Sequence, residues 1–531
     1  MYFCSMNKQC IDRKQLSAFS SFSAAFGNQA NFADFLSAPF LSLSDLELQA
    51  KAKQSAYSVA SRAVLCDVLS EQIADQASES QKKALADLAL PTTFTITTGH
   101  QLTLFGGPLY LLYKVLHVVK LVEQFNASQS NYKAVPVFWM ASEDHDLDEV
   151  RSSHLFQQKL TWETTQTGAV GRMKMDDYSS VHETLKQLFE GKETAIQALL
   201  SISEKQSYAA YMQTFLTKLF ADYGVLVIQP DDERLKQLFA PVIRRELKER
   251  PSFEAVQASN KSLQKAGWTP QAQARACNLF YLSDGKRSRI DVTQNGFAID
   301  GSVYSESELL YKVESSAASF SPNVILRPVY QETILPNLAY IGGGGEMAYW
   351  IQLKGVFQAH DTLYPLIQQR NSVHLIDAGM QKRIEKIGFE VSSYFEQKEQ
   401  LRKAYLLTHD ADQLNVEVMF QQFENLKIAV IEKAKSVDVT LESFAEAEMV
   451  RMRKQLESIE GRMVKQVKQQ HEQALKSIDF VCDRFMPENT LQERYYHWLH
   501  FAPSGDYKEL LDQIYTALEP MNSDLIVLNL Q

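Results

Sequence analysis

Four short runs of apolar and β-branched residues constrain the fold most: TFTITTG (Thr93–Gly99), AVPVFWMAS (Ala134–Ser142), GVLVIQPDD (Gly224–Asp232) and NVILRP (Asn323–Pro328). Each ends in glycine or polar residues, and helical segments lie between several of them. Strands buried on both faces read this way, so the pattern predicts an open, parallel α/β sheet. The runs are unevenly spaced, which points to a Rossmann-like core interrupted by insertions rather than to a repeat.

The core is expected in residues 1–153, 208–247 and 322–375, with a first insertion at 154–207 and a second at 248–321. Within the first block, residues 42–90 read as helical, with Leu46, Ala50, Ala56, Val64, Leu65, Val68 and Leu69 among polar residues. The second insertion contains NLFYLSDGKRSRIDVTQNGFAI, whose alternation around Asp284-Gly285 and Asn295-Gly296 predicts β-hairpins. Residues 376–488 turn to Glu, Gln, Lys and Arg. Met452, Leu456, Ile459, Met463 and Val467, like Phe423, Leu426, Val430, Val437, Leu441 and Phe444, recur at helical spacing, so two long helices are expected to zip into a coiled-coil arm. The aromatic-rich stretch within 489–531 should return to the core.

Charge and cysteine usage narrow the function. A net charge of −10 disfavours a protein whose main partner is a nucleic-acid backbone. Five scattered cysteines, with no C-x-x-C pair, argue against a disulfide framework and a cysteine-rich zinc site. LYLLYKVLHVVKLV, broken by Lys114, His117 and Lys120, is too short to span a bilayer, so no membrane partner and a cytoplasmic location are expected.

Three places carry chemistry. In TTGHQLTLFGGPLYLLYK (Thr97–Lys114) a strand, a glycine-containing turn and a helix opened at Pro108 form a recipe for presenting N–H groups to an anion. After VPVFWMAS come Glu143, Asp144, His145, Asp146, Asp148 and Glu149, carboxylates crowded at a strand end where a cation, an amine or hydrogen-bond donors must compensate. In ILRPVYQETILPNLAYIGGGGEMAYW (Ile325–Trp350), Arg327 is expected to end a strand and Gly342–Gly345 the next, with Glu346 opening a helix. A glycine run costs entropy and is repaid by close backbone approach to a ligand, while Arg327 suits a carboxylate or phosphate. No H-x-x-x-H or cysteine partner completes a zinc site, so no metal ligand is assigned.

Thr97-Thr98-Gly99-His100 resembles the T-x-G-H signature of adenylate-forming and nucleotidyl-transferring Rossmann proteins, class I aminoacyl-tRNA synthetases included. Taken together, GHQLTLFGGPLYLLYK, VPVFWMASEDHDLDEV and LRPVYQETILPNLAYIGGGGEMAYW resemble the cysteine-adding enzymes of bacillithiol biosynthesis over most of the chain. The resemblance implies a Rossmann core with two connecting insertions and a coiled coil used for homodimerisation. It also implies a ligase joining the carboxyl of L-cysteine to the amine of glucosaminyl-malate. Forming an amide from a free carboxylate needs activation, so ATP (or ADP) is the expected cofactor, with Mg2+ accompanying it and cysteinyl adenylate or an acyl phosphate as the chemical options. On this reading His100 stabilises phosphate charge, and Asp144 or His145 deprotonates the amine. Gly99, Gln101, Lys114, Asp146, Arg327, Gln331, Gly343, Gly344 and Glu346 contact substrates. A nucleotidyltransferase on the same fold and a non-catalytic coiled-coil scaffold are the competing readings.

Overall fold

The computed structural model describes residues 8–531 except 129, 157, 193–194, 203–206, 284 and 415. The chain divides into two compact units, residues 1–376 with 492–531, and residues 377–491.

The larger unit is built on a five-stranded parallel sheet: β1 (Thr93–His100), β2 (Lys133–Met140), β3 (Leu226–Ile228), β4 (Asn337–Gly342) and β5 (Leu366–Gln369). Their spatial order is β5-β4-β1-β2-β3, which read from the other edge is the 3-2-1-4-5 order of the Rossmann fold. The chain leaves β1 toward one edge, then crosses back to lay β4 on its other side. The crevice at the carboxyl ends of β1 and β4 is therefore the switch point where ligands of such sheets bind.

Seven of the eight β1 residues are buried, although four are threonines. Three of the four hydroxyls have partners: Thr95 and Thr97 donate to Asn337 Oδ1 at 3.1 and 2.8 Å, and Thr98 donates to the Ile341 carbonyl at 2.7 Å. These cross-strand bonds tie β1 to β4 and satisfy polar groups that burial would otherwise penalise. Helix α1 (Tyr110–Ala127) follows β1 and is apolar nearly all round, because it lies between the sheet and an apolar cluster that includes Leu511 and Ile514 of the helix Tyr507–Ala517. The helical stretch expected over 42–90 is three helices, Leu43–Ala56, Val59–Ile73 and Glu79–Leu88.

One expected strand is not a strand. Asn323–Pro328 is a turn running into helix α3 (Arg327–Ile334), so Arg327 begins a helix instead of ending a strand. Asn323 Oδ1 accepts the N–H groups of Ile325 and Leu326, and Pro328, with no N–H to lose, fits the first helical turn. A short apolar run cannot by itself distinguish a buried strand from a buried helix start.

The second insertion holds the hairpin Leu279–Ser283/Lys286–Arg289, with Phe320–Pro322 on its other edge, and the meander Asp291–Thr293, Gly296–Ile299, Ser302–Tyr304. Of the two expected turns, Asp284 lies outside the described residues.

In the smaller unit the helices Glu417–Val437 and Leu441–Gln470 pack on each other as a hairpin. On these helices Phe423, Ala445, Met449 and Val467 are buried, whereas Leu426, Val430, Val437, Leu441, Phe444, Met452, Ile459 and Met463 stay exposed. Most of the apolar seam read from the spacing is thus not consumed within the chain.

Candidate active site

A cleft of about 660 Å³ opens at the carboxyl ends of β1, β2 and β4. The sequence blocks converge there: Gly99, His100, Gln101, Lys114, Asp144, His145, Arg327, Gly343 and Glu346 all line it. Three expected contacts do not. Asp146 faces a neighbouring pocket, Gln331 is fully buried behind the wall, and Gly344 is turned away.

His100 ends β1. Its Nε2 shares a 2.8 Å hydrogen bond with the Tyr110 hydroxyl on the first turn of α1. Burial, helped by the nearby Lys114 cation, pushes the imidazole down to about 3, so it is a neutral hydrogen-bonding group at pH 7 rather than a cation. Lys114 is also committed within the protein: its Nζ donates to the Gly99 carbonyl at 2.9 Å and pairs with Glu346 at 2.5 Å. Glu346 accepts in addition from the Tyr340 hydroxyl and the Gly343 N–H. Burial alone would raise this carboxyl, but those partners, Lys114 foremost, hold it down to about 2. Lys114 and Glu346 therefore clamp the end of β1 to the start of helix α4 (Gly344–Trp350), and their roles as direct substrate contacts give way to that of a post between two ligand loops.

The glycine run has two faces. A Cβ on Gly345 would meet nothing within 4 Å, and both Gly343 and Gly345 line the cleft. A Cβ on Gly344 would lie 2.8 Å from Ser23 Oγ and 2.9 Å from Ser23 Cβ. Its glycine is required by packing, not by ligand approach. Gly344→Ala should cost about 1–3 kcal/mol in urea denaturation, as overpacking does, without narrowing the cleft.

At the end of β2, Gln101 Nε2 donates to Asp144 Oδ2 at 2.7 Å and to Glu149 at 2.7 Å. Asp144 Oδ1 caps the N–H groups of His145 and Asp146 at 2.7 and 3.4 Å. His145 Nδ1 lies 2.9 Å from Arg287 Nη1. A guanidinium can only donate, so Nδ1 is the acceptor and the ring proton of neutral His145 sits on Nε2. Burial and the Arg287 charge lower its pKa. The lone pair that would make His145 a base is thus already engaged, which corrects the role expected for it.

Arg327 donates to Gln331 at 3.0 Å and to the Tyr349 hydroxyl at 3.4 Å, with its guanidinium over the Tyr340 ring at 5.6 Å. Gln331 in turn donates to Glu332, which pairs with buried Lys53. Gln331 is therefore a support for Arg327, not a substrate contact.

Several cleft residues arrive from segments the motifs did not flag. Arg275, Arg287 and Arg289 come from the second insertion and Arg370 and Arg494 from beyond β5, so seven cationic side chains face three carboxylates. Arg370 forms a two-pronged pair with Glu493 at 2.7 and 2.9 Å. Among the described residues, Arg275, Arg287, Arg289, Arg327 and Arg494 make no ion pair with a carboxylate, while each cleft carboxylate has its own donor. An acidic chain has thus concentrated an excess of positive over negative side chains in one cavity. Two of those arginines, Arg287 and Arg289, lie on the strand Lys286–Arg289 of the hairpin. Among the described residues no group of three or more His, Cys, Asp or Glu is arranged to hold a metal ion, and no helix is long and apolar enough to cross a membrane.

Fold and cleft define the class: a Rossmann-like α/β protein with a cationic small-molecule cleft at its topological switch point. The model of the N-terminal Rossmann-like domain of bacillithiol biosynthesis BshC matches residues 6–371, and that of the BshC C-terminal coiled-coil domain matches residues 373–530, so the chain belongs to the BshC family. A Cytophaga hutchinsonii protein named "Putative cysteine ligase BshC" is 37% identical over 463 residues, 86% of this chain and 87% of its own. One of the same name from Flavobacterium johnsoniae is 33% identical over 541 residues, 99% and 100% of the two chains. A third, from Shouchella clausii, is 28% identical over 421 residues, 76% and 78%.

Proposed function

We propose that this protein is a ligase that joins the carboxyl of L-cysteine to the amine of glucosaminyl-malate, forming bacillithiol. The observation that carries the reading is the cleft's charge. Five arginines without carboxylate partners suit a substrate bearing two carboxylates together with a phosphorylated activating group. The names of the relatives, cysteine ligases, supply the acyl component.

ATP fits the donor set. Arg275, Arg289 and Arg494 at the mouth offer charge for phosphates, and Leu279, Phe280 and Val324 offer an apolar wall for a base. Bound there, the nucleotide would supply the phosphoryl or adenylyl group that activates the cysteine carboxyl, and Mg2+ would accompany its phosphates rather than sit in a protein cage. Neutral His100 serves as a preorganised hydrogen-bonding group where charge develops, needing no reorganisation during the step. Arg327, held by Gln331 and Tyr349, fixes a substrate carboxylate at the inner end, and Gln101 ties Asp144 and Glu149 into one rim. The exposed seam of the helical hairpin would be covered by a second copy of the chain, making a homodimer.

The test is product formation. Purified protein incubated with ATP, cysteine and glucosaminyl-malate should yield the amide-linked thiol by mass spectrometry, and omission of any one component should abolish it. Cleavage of ATP with transfer of its nucleotidyl group to glucosaminyl-malate, independent of cysteine, would replace this reading with a nucleotidyltransferase.

A further inference from the structure

An ammonium has no lone pair, so a ligase acting on an amine needs a group to take its proton. The residues most obviously placed for that are occupied. His145 Nδ1 accepts from Arg287, and both oxygens of Asp144 accept N–H bonds from Gln101, His145 and Asp146, which stabilises its anion and weakens it as a base. Glu143, one residue earlier, differs. It lines the cleft at the end of β2 with 10% of its side chain exposed. Its Oε1 accepts from Lys236, and among the described residues its Oε2 takes no hydrogen bond.

We propose that Glu143 takes the proton from the acceptor amine and that Lys236 positions its carboxylate. The assignment rests on the ligase reading above. Lys236 lies on helix α2 (Glu233–Lys248), is fully buried, and is fixed from behind by the Phe320 carbonyl at 2.7 Å and the Tyr330 ring at 5.3 Å. It has no freedom to follow a departing proton, so it holds Oε1 and leaves Oε2 to the substrate. The charged and titratable groups around Glu143 are Lys236 on α2, Asp231 after β3, Arg287 on its hairpin, Arg172 and Tyr330. Burial outweighs the cations among these and raises the carboxyl above the ordinary glutamate range, which makes it a better proton acceptor than a solvated carboxylate.

In the step, the carboxylate takes one proton from the ammonium and becomes the acid. The freed nitrogen lone pair forms the C–N bond at the activated cysteine carbonyl. The C–O bond to the phosphate leaving group breaks with its electron pair going to that oxygen, which then takes the second nitrogen proton. The glutamic acid returns its proton to solvent before the next turnover.

Glu143→Gln keeps size and loses basicity, but leaves Lys236 buried and unpaired. The double variant Glu143→Gln with Lys236→Met removes the pair together and protects the fold. Both are assayed for amide formation across pH 6–10 beside the parent. The expected loss is about a hundredfold or more near pH 7, shrinking roughly tenfold per pH unit as the free amine appears in solution. A loss equal at every pH, or none, overturns the assignment while leaving the ligase reading intact. A parent enzyme that makes no amide at all removes the ligase reading, and this assignment with it.

Discussion

Lys114→Met is expected to cost the larger unit about 3 kcal/mol of stability, the lower end of the range for breaking a buried pair by removing one partner. Lys114 is 3% exposed, so its ammonium was desolvated on folding and is compensated chiefly by Glu346 and the Gly99 carbonyl, with the Tyr110 ring 5.9 Å away. Methionine fills the same volume, and the loss therefore reports the orphaned charge rather than a cavity. Glu346 retains the Tyr340 and Gly343 donors and 23% of its surface, which keeps the cost from reaching the top of the range. Adding Glu346→Gln to Lys114→Met should restore much of the loss, because the uncompensated charge goes with it. Urea denaturation of the two single variants and the double gives the coupling. Equal, additive losses would mean that the pair is a surface contact and that the β1 and α4 loops are held by something else.

Acid should weaken the same unit strongly. His100, His374 and His497 are each pushed down to about 3 and His117 to about 4, in every case chiefly by burial. Their unfolded counterparts titrate near 6.5. Below that pH the unfolded chain binds protons that the folded chain refuses, so stability is full above about 6.5 and falls as pH drops toward the folded values. Between pH 7.5 and 5.5 four such groups remove about 5 kcal/mol. Glu143 and Glu332, which burial raises, act in the opposite sense, stabilising the fold as pH falls through their raised values. Unfolding midpoints that stay level from pH 7.5 to 5.5 would show that these histidines are hydrated or charged in the native state.

The Rossmann topology was readable because β1 and β2 are long, rich in β-branched or apolar residues and bounded by polar ends, and because ligands of such sheets gather at those ends. β5 escaped notice: LIQQ is four residues, half of them polar, and its burial is decided by β4 beside it. NVILRP misled for the opposite reason, since Ile325 and Leu326 are buried as a helix start while the neighbouring strand begins only at Asn337. In the cleft, Gly99, His100, Asp144 and Arg327 were legible as motif residues. Arg275, Arg370 and Arg494 were not, because isolated arginines in an insertion or a C-terminal return have no local pattern that separates a cleft wall from a solvated surface. Gln331 and Gly344 stand in the right blocks but face away from the cleft, and Lys114, which lines it, is tied up by Glu346; only side-chain direction and pairing, which spacing does not encode, distinguish support from contact.

The central claim is that substrate anions bind in the cationic cleft at the switch point. Calorimetric titration of glucosaminyl-malate into the parent protein and into Arg327→Ala tests it most directly. Saturable binding that weakens ten- to a hundredfold in the variant, about 1.5–3 kcal/mol for a charged hydrogen bond, and that weakens further with added salt, is the result expected. Equal affinity in the two proteins, insensitive to salt, would place the substrate elsewhere and contradict the account.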